Sequence, residues 1–173
     1  MIEVAEELLR ILKTMNAITS NIGWKEFTKK VGLSPSQTVH GLQELLKAGF
    51  VRKIGQGYSL TEKGKIALNV LDRVPKDMEF HFYTGIGQDT GLSAKSLQDF
   101  YKLVKKVDVA ALEFHISRGH FENWIKTVFH DTQLLNEFVR IRKLNLKGEN
   151  LRNEIVKATK RKYCKFQESF RIS

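Results

Sequence analysis

The segment Gly-Leu-Ser-Pro-Ser, which begins at Gly32, restricts the fold of this chain more than any other feature. It contains residues that end one helix and begin the next. Apolar residues on one face predict a short helix from Trp24 to Val31, and Gly32 is a residue type that ends helices. Ser34 can cap the next helix, and Pro35 suits its first position because no backbone donor is lost there. We therefore predict a third helix from Pro35 to about Ala48, and the pair forms a helix-turn-helix pattern.

The segments on either side of this pair predict a first helix, a hairpin and a further helix. Residues 2–15 repeat apolar side chains at helical spacing and carry glutamates near their start, where the helix dipole favours them. After the third helix, short strands at Phe50–Ile54 and Tyr58–Leu60 flank Gly55-Gln56-Gly57, whose glycines allow the positive φ of a tight turn. Thr61 can cap a following helix, whose predicted inward residues are Ile66, Ala67, Val70 and Leu71.

Two stretches of this region carry a family resemblance. The sequences GLSPSQTVHGLQELLKAGFVRK and GYSLTEKG, in this order of elements, resemble the winged-helix domains of archaeal and bacterial transcription regulators. The most telling pieces are Leu46 to Val51 and the corner Leu60-Thr61-x-x-Gly64. The resemblance covers residues 1–74 and implies a winged helix-turn-helix domain that binds duplex DNA. The same pieces also recur in winged helices that bind proteins.

The third helix and the hairpin supply the candidate DNA contacts. On a helical wheel, the predicted core side carries Val39, Leu42, Leu45 and Leu46. Gln37 has the amide geometry for an adenine edge, and His40 can donate to a base or a phosphate. The predicted DNA-binding residues here are Ser36, Gln37, His40, Gly41, Glu44 and Lys47 on the helix, with Arg52, Lys53 and Gln56 on the wing. The alternative interpretation is that they are only the solvated face of a scaffold helix.

The distribution of charge favours a polyanionic partner. The 173 residues include 29 Lys+Arg against 19 Asp+Glu, a net charge of +10. Residues 1–74 hold 11 basic and 7 acidic side chains, residues 75–142 hold 9 of each, and residues 143–173 hold 9 and 3. The net charges are therefore +4, 0 and +6, so the excess lies in the two flanks and different parts of the chain are expected to do different jobs.

Composition also excludes several classes of protein. Cys164 is the single cysteine, which rules out an intramolecular disulfide and a CxxC zinc site. No apolar run approaches the ~18 residues of a membrane span, and the acidic residues near the start differ from a signal peptide. We expect a cytoplasmic protein without a membrane partner.

The middle of the chain predicts a second, helical domain after a linker at residues 75–79, because Pro75 disfavours helical geometry in the residue before it. Phe80 to Tyr83 alternates like a strand or an extended segment, and the glycine-rich stretch Gly85 to Gly91 follows. Its GxGxxxG spacing is not GxGxxG, so we expect a connector here rather than a phosphate loop. A small helical bundle is then predicted, with helices from a Ser93 cap through Lys106, from Val109 to Ser117 (a buried strand being the alternative), from His120 to Phe129 and from Thr132 to Arg142.

Residues 80–142 also resemble a known family, an archaeal domain of unknown function found beside winged helices and attached to carbohydrate-active enzymes. The elements Gly-x-Gly-x-x-x-Gly, Ser-Leu, Phe-His and Arg-Gly-x-Phe-x-x-Trp carry the likeness. An aspartate usually precedes the phenylalanine of the last element in that family, whereas this chain has His120 there. The resemblance implies no known chemistry.

Four polar residues of this region, His115, Arg118, His120 and His130, raise the question of a metal or catalytic site. The HExxH pattern is absent, and Gly119 interrupts the spacing between His115 and His120. We expect hydrogen bonding within the bundle for His115, and no catalytic residue, metal or cofactor.

The end of the chain predicts a basic helix from Glu149 to about Tyr163 with a thin apolar seam. Its cations Lys160, Arg161 and Lys162 are predicted to contact DNA phosphates. The alternatives are a basic surface helix or a dimer seam.

Together these patterns predict a mainly α protein, with an N-terminal winged helix and a C-terminal small helical bundle. The predicted function is that of a non-enzymatic, DNA-binding transcriptional regulator, a homodimer on double-stranded DNA, whose second domain senses an effector, dimerises or recruits a protein. Two alternatives stay open. The winged helix could serve a nucleic-acid-processing assembly as a protein- or RNA-binding module, or the second domain could be a ligand-binding or enzymatic unit around Gly85–Gly91.

Overall fold

The computed structural model describes the backbone of residues 2–18 and 22–169 and the side chains of residues 6–18 and 22–163. This part of the chain is mainly helical and contains two small antiparallel hairpins. Contacts divide the chain into two compact units, residues 1–68 with 166–173 and residues 69–165. The predicted linker, 75–79, falls in the second unit and includes a 3-10 turn at Lys76–Met78.

The first unit places three helices before a hairpin. Helix α1 spans Ile2–Ala17, α2 spans Trp24–Val31, α3 spans Pro35–Lys47, β1 spans Val51–Ile54 and β2 spans Gly57–Leu60. Helix α4, Glu62–Leu71, begins in this unit and ends in the second. Both helices of the predicted helix-turn-helix pair are confirmed, α2 to the residue and α3 to within one residue of its predicted end.

Local capping fixes the turn between α2 and α3. Gly32 adopts a left-handed conformation with φ 71°, and its N–H donates to the carbonyl of Thr28. Ser34 and Gln37 form a capping box, in which Ser34 Oγ accepts from the Gln37 N–H at 3.2 Å and Gln37 Oε1 accepts from the Ser34 N–H at 3.1 Å. These short-range bonds explain why the sequence alone located both helices.

The core of the first unit lies between α1, α3 and the hairpin. Its fully buried side chains include Ile11, Leu12, Leu45 and Phe50. The prediction for α4 is confirmed for Ala67 and Val70 but wrong for Ile66, which is 36% exposed, whereas Leu68 is buried.

In the second unit, a hairpin follows the end of α4 and the 3-10 turn, and its first strand confirms the extended segment predicted at Phe80 to Tyr83. Strand β3, Phe80–Gly85, pairs antiparallel with β4, Gln88–Ala94, so that Phe80 lies opposite Ala94 and His81 opposite Ser93. Ser93 is therefore a strand residue, and its prediction as a helix cap is wrong. Ser96 caps the next helix instead, because its Oγ accepts from the Asp99 N–H at 3.0 Å.

Helices complete the second unit around an aromatic core. They are α5 (Leu97–Val104), α6 (Val109–Ser117), α7 (His120–Trp124), α8 (Thr132–Lys143) and the part of α9 (Gly148–Ser169) up to residue 165, with a turn of π-helix at Ile125–Phe129. Strand β3 packs on α6 and β4 on α5. The rings at the centre of the core, Phe82, Phe100, Phe121 and Phe138, are 0% exposed.

Candidate nucleic-acid interface

Helix α3 presents a polar face to solvent. At 100° per residue, the buried Thr38, Gly41, Leu42 and Leu45 define one side. The exposed side chains centred opposite them are Ser36, His40, Gln43 and Lys47. Their chemistry is a hydroxyl, an imidazole, an amide and an ammonium group, all of which hydrogen-bond to bases or phosphates in protein–DNA complexes. Sequence analysis missed Gln43, which a more accurate helical wheel would have found.

The predicted DNA contact at Gly41 is wrong. Gly41 is buried against α1, and a Cβ there would overlap Ile11 Cδ1 and lie 3.3 Å from Leu8 Cδ2. The glycine therefore permits close approach of α1 and α3, which offsets its low helix propensity. The error came from Val39 and Leu46, which were assigned to the core side but are 43% and 40% exposed.

The predicted base reader Gln37 is exposed, but its amide is already engaged. Its Oε1 completes the capping box, and its Nε2 donates to Glu7 Oε1 at 3.0 Å. An adenine contact would have to compete with both bonds. Glu44 is half-buried at the edge of the exposed face, where a carboxylate would disfavour nearby phosphates.

The hairpin carries the predicted wing residues Arg52, Lys53 and Gln56, all exposed. Arg52 lies opposite Ser59 and Lys53 opposite Tyr58 in the register. Because successive strand residues point to opposite faces, Arg52 and Lys53 project from different sides of the hairpin. A single flat ligand surface would therefore contact either Arg52 or Lys53. Gln56 lies in the turn between the two strands.

A hydrogen-bonded corner attaches the hairpin to α4. Thr61 Oγ1 donates to the carbonyl of Gly49 at 2.7 Å and accepts from the Gly64 N–H at 3.1 Å. The Thr61 N–H donates to the carbonyl of Phe50 at 3.0 Å. These bonds hold the start of α4 against Phe50, the residue before β1, so they fix the base of the hairpin relative to α3.

The predicted phosphate contacts at the end of the chain are only partly available. Lys162 Nζ lies 2.7 Å from Asp131 Oδ2, and the two side chains are only 13% and 5% exposed. Lys162 is therefore wrong as a surface phosphate contact, because a buried carboxylate of the same unit already neutralises it. Arg161 pairs with Glu137 at 2.8 Å, whereas Lys160 is exposed.

A pair of histidines lies beneath the hairpin of the second unit. His115 is 3% exposed, and its Nε2 accepts from the Tyr83 N–H at 2.8 Å. Its Nδ1 lies 3.0 Å from Nδ1 of the exposed His120. The predicted role of His115 in hydrogen bonding within its unit is thus confirmed, and Arg118 lies over the Phe114 ring at 4.2 Å.

The pKa of His115 is lowered from 6.5 to about 4, first by burial and then by the neighbouring His120 and Arg118. Between these values the unfolded chain binds more protons than the native protein, so stability rises with pH through this window. We expect protonation of His115 alone to lower the free energy of unfolding by about 2 kcal/mol when the pH falls from 7 to 5.

Urea unfolding at both pH values measures this effect. The variant His115→Gln keeps an acceptor near Tyr83 but does not titrate. Its loss of stability between pH 7 and pH 5 should therefore be about 2 kcal/mol smaller than that of the parent protein. An equal loss in both proteins would contradict the assignment.

Among the described side chains, no cluster of three or more His, Cys, Asp or Glu residues could hold a metal ion. Likewise, no helix of the described residues is sufficiently long and apolar to cross a bilayer. Comparisons with protein families, curated proteins and solved structures found no match to this chain.

Proposed function

We propose that residues 1–74 form a winged helix that binds duplex DNA and that the protein is a transcriptional regulator. The observation that carries the proposal is the exposed polar face of α3, which precedes a hairpin bearing Arg52 and Lys53. Elements in this order can place the helix in the major groove and the hairpin against the DNA backbone.

The dimensions and charge of this face support the proposal. A helix of 13 residues is about 20 Å long, which suits the major groove. Glu44, half-buried, is the only acidic residue in α3 or the hairpin. The net charge of +4 over residues 1–74 adds a long-range attraction for a polyanion.

The residues divide into two proposed roles. His40 and Gln43 are exposed in the middle of α3 and would read base edges. Lys47 and Arg52, near the end of α3 and on β1, would contact phosphates. The second unit would dimerise, sense or recruit, and a homodimer would read two half-sites.

The double variant His40→Ala/Gln43→Ala is expected to reduce discrimination between the preferred sequence and a scrambled copy about tenfold or more. Fragments of genomic DNA bound by the full-length protein first supply the preferred sequence. Titrations of the preferred and scrambled duplexes at several salt concentrations then give the ratio. An unchanged ratio would show that α3 does not read bases.

The double variant Lys47→Ala/Arg52→Ala should instead weaken binding to both duplexes alike. We expect the slope of log affinity against log salt to fall by about 1.8, because each lost phosphate contact contributes about 0.9. Lys106→Ala, an exposed lysine of the second unit, is the matched control and should leave the slope unchanged.

The same titrations separate the proposal from its alternatives. Specific binding by about a thousandfold over scrambled DNA supports a regulator. Equal, steeply salt-dependent binding to both duplexes would support an assembly or chromatin-like factor instead. Preference for RNA would contradict the proposal and favour an RNA-binding module. No nucleic-acid binding would also contradict it and favour a protein-binding module.

A further inference from the structure

The second unit contains an open cleft that the proposed DNA contacts do not use. Its volume is about 650 Å³, which lies within the range of small-molecule sites. Four aromatic residues contribute to its lining: Phe80, Tyr83, Phe114 and Trp124. The turn of π-helix at Ile125–Phe129 adds Thr127 and Val128, and such turns occur frequently at functional sites.

Hydrogen bonding fixes which ring nitrogen of His120 can act on a ligand. The Tyr83 N–H can only donate, so the His115 nitrogen that it contacts, Nε2, carries no proton. Neutral His115 then holds its proton on Nδ1 and donates it to His120 Nδ1. His120 is thereby held as the tautomer with its proton on Nε2, and it offers the cleft a neutral hydrogen-bond donor.

The charges around the cleft select the type of ligand. Asp77 and Glu79 contribute to the lining, and no lysine or arginine does so among the described residues. A phosphate or carboxylate group would therefore meet like charge without a cationic partner. An amino group would instead be attracted to the two carboxylates.

We propose that this cleft binds a small, flat heteroaromatic amine of the nucleobase type. The ring packs against the aromatic side chains, a ring nitrogen or carbonyl accepts from His120 Nε2, and the exocyclic amino group is held by the carboxylates. The Asn123 amide, also in the lining, can donate or accept at the edge of the same ring. This site is independent of the DNA-binding proposal, because its residues all lie in the second unit.

Adenine and cytosine are the probes, titrated into full-length protein labelled with ¹⁵N-histidine and followed by NMR. We expect dissociation constants on the order of 1 mM or below, together with a shift of the His120 Nε2 signal. The same spectra report the tautomer directly, and His120 should carry its proton on Nε2 before ligand is added. Adenosine monophosphate and benzoate test the charge argument and should bind at least severalfold more weakly than adenine.

Three variants locate the site. His120→Ala is expected to weaken adenine binding about tenfold, and His120→Gln, which retains an N–H donor, should lose less. Asp77→Asn, at an exposed position, should weaken adenine severalfold while improving the relative affinity of adenosine monophosphate. His130→Asn, at an exposed histidine of the second unit outside the cleft lining, is the matched control and should bind adenine like the parent protein.

Several results would overturn the proposal. One is the absence of adenine- or cytosine-induced shifts up to about 10 mM, far above the expected dissociation constant. Others are equal or tighter binding of benzoate or adenosine monophosphate, and adenine binding that neither His120→Ala nor Asp77→Asn changes. A His120 signal with the proton on Nδ1 would remove its chemical basis.

Discussion

Replacement of Asp131 by alanine should destabilise the second unit by about 3–5 kcal/mol, more than any other change considered. Asp131 does two things at the start of α8. Its Oδ1 accepts from the Leu134 N–H at 3.0 Å, which caps the helix. Its Oδ2 lies 2.7 Å from Lys162 Nζ, and both side chains are almost fully buried. Alanine removes the cap and leaves a largely buried ammonium group without this carboxylate.

Two further variants separate the cap from the charge. Asn is a good cap residue, so Asp131→Asn should keep most of the capping energy and report the loss of the ion pair. The double variant Asp131→Ala/Lys162→Met removes both charges and should recover much of the lost stability, since a buried pair is often no better than apolar packing.

The matched control for the cap is Asp108→Ala. Asp108 Oδ1 accepts from the Ala110 N–H at 2.8 Å at the start of α6, and the residue is exposed. Its loss should cost about 1 kcal/mol. If Asp131→Ala costs no more than Asp108→Ala, the buried ion pair contributes nothing beyond the cap.

Fluorescence can assign each effect to its unit because the chain has two tryptophans, Trp24 in the first unit and Trp124 in the second. Trp24 is 45% exposed, so Trp24→Phe is a mild background that leaves Trp124 to report unfolding of the second unit. Urea titrations of the Asp131 series in this background measure the predicted differences.

Replacement of Gly64 by alanine is expected to lower the stability of the first unit by about 2–4 kcal/mol. A Cβ at Gly64 would overlap the carbonyl oxygen of Phe50 and lie 3.1 Å from its carbonyl carbon. That carbonyl also accepts from the Thr61 N–H, so the backbone there cannot move without breaking the corner below the hairpin. The clash should outweigh the roughly 1 kcal/mol by which alanine favours a helix over glycine.

Gly57→Ala is the matched control in the same unit. A Cβ there would lie 3.8 Å from the Ile54 carbonyl oxygen, an ordinary contact, and Gly57 is not among the residues with positive φ. We expect a change within about 0.5 kcal/mol. Unfolding is followed through Trp24 in a Trp124→Phe background, and similar stabilities of the two glycine variants would contradict the close approach.

If the hairpin acts as a wing, Gly64→Ala should also weaken DNA binding under conditions where the protein is still folded. The corner at Thr61 and Gly64 holds the base of the hairpin against Phe50, the residue before β1, so displacement of Phe50 would shift Arg52 relative to Lys47. Gly57→Ala lies on the hairpin itself and serves as the control for this measurement as well. Unchanged affinity of folded Gly64→Ala would separate the hairpin from the interface.

Sequence located the elements of the first unit because their signals are local. Gly32, Ser34 and Pro35 end one helix and begin the next through bonds that span four residues or fewer. The hairpin was likewise predicted from Gly55-Gln56-Gly57, where Gly55 has φ 56°. Such interactions depend on residue types that lie side by side in the sequence.

The second unit shows where local signals fail. Ser93 and Ser96 are both plausible helix caps in the sequence, and pairing of β4 with β3 decides between them. The pairing partner of Ser93 is His81, twelve residues earlier. A glycine-rich stretch therefore became the turn and second strand of a hairpin, because ladder hydrogen bonds and the buried Phe80 and Phe82 favour the extended conformation.

The candidate sites depended on tertiary structure for the same reason. The sequence determined that α3 exists, that the charge is concentrated in the flanks and which residue types can bind DNA. Packing against α1 decided that Gly41 faces inward and Gln43 outward. The ion pair with Asp131, 31 positions earlier in the sequence, makes Lys162 unavailable as the predicted phosphate contact. The tautomer of His115 likewise depends on the backbone N–H of Tyr83, 32 residues away. Helix starts and stops follow from neighbouring residues, whereas the orientation and availability of a side chain follow from whatever the fold packs against it.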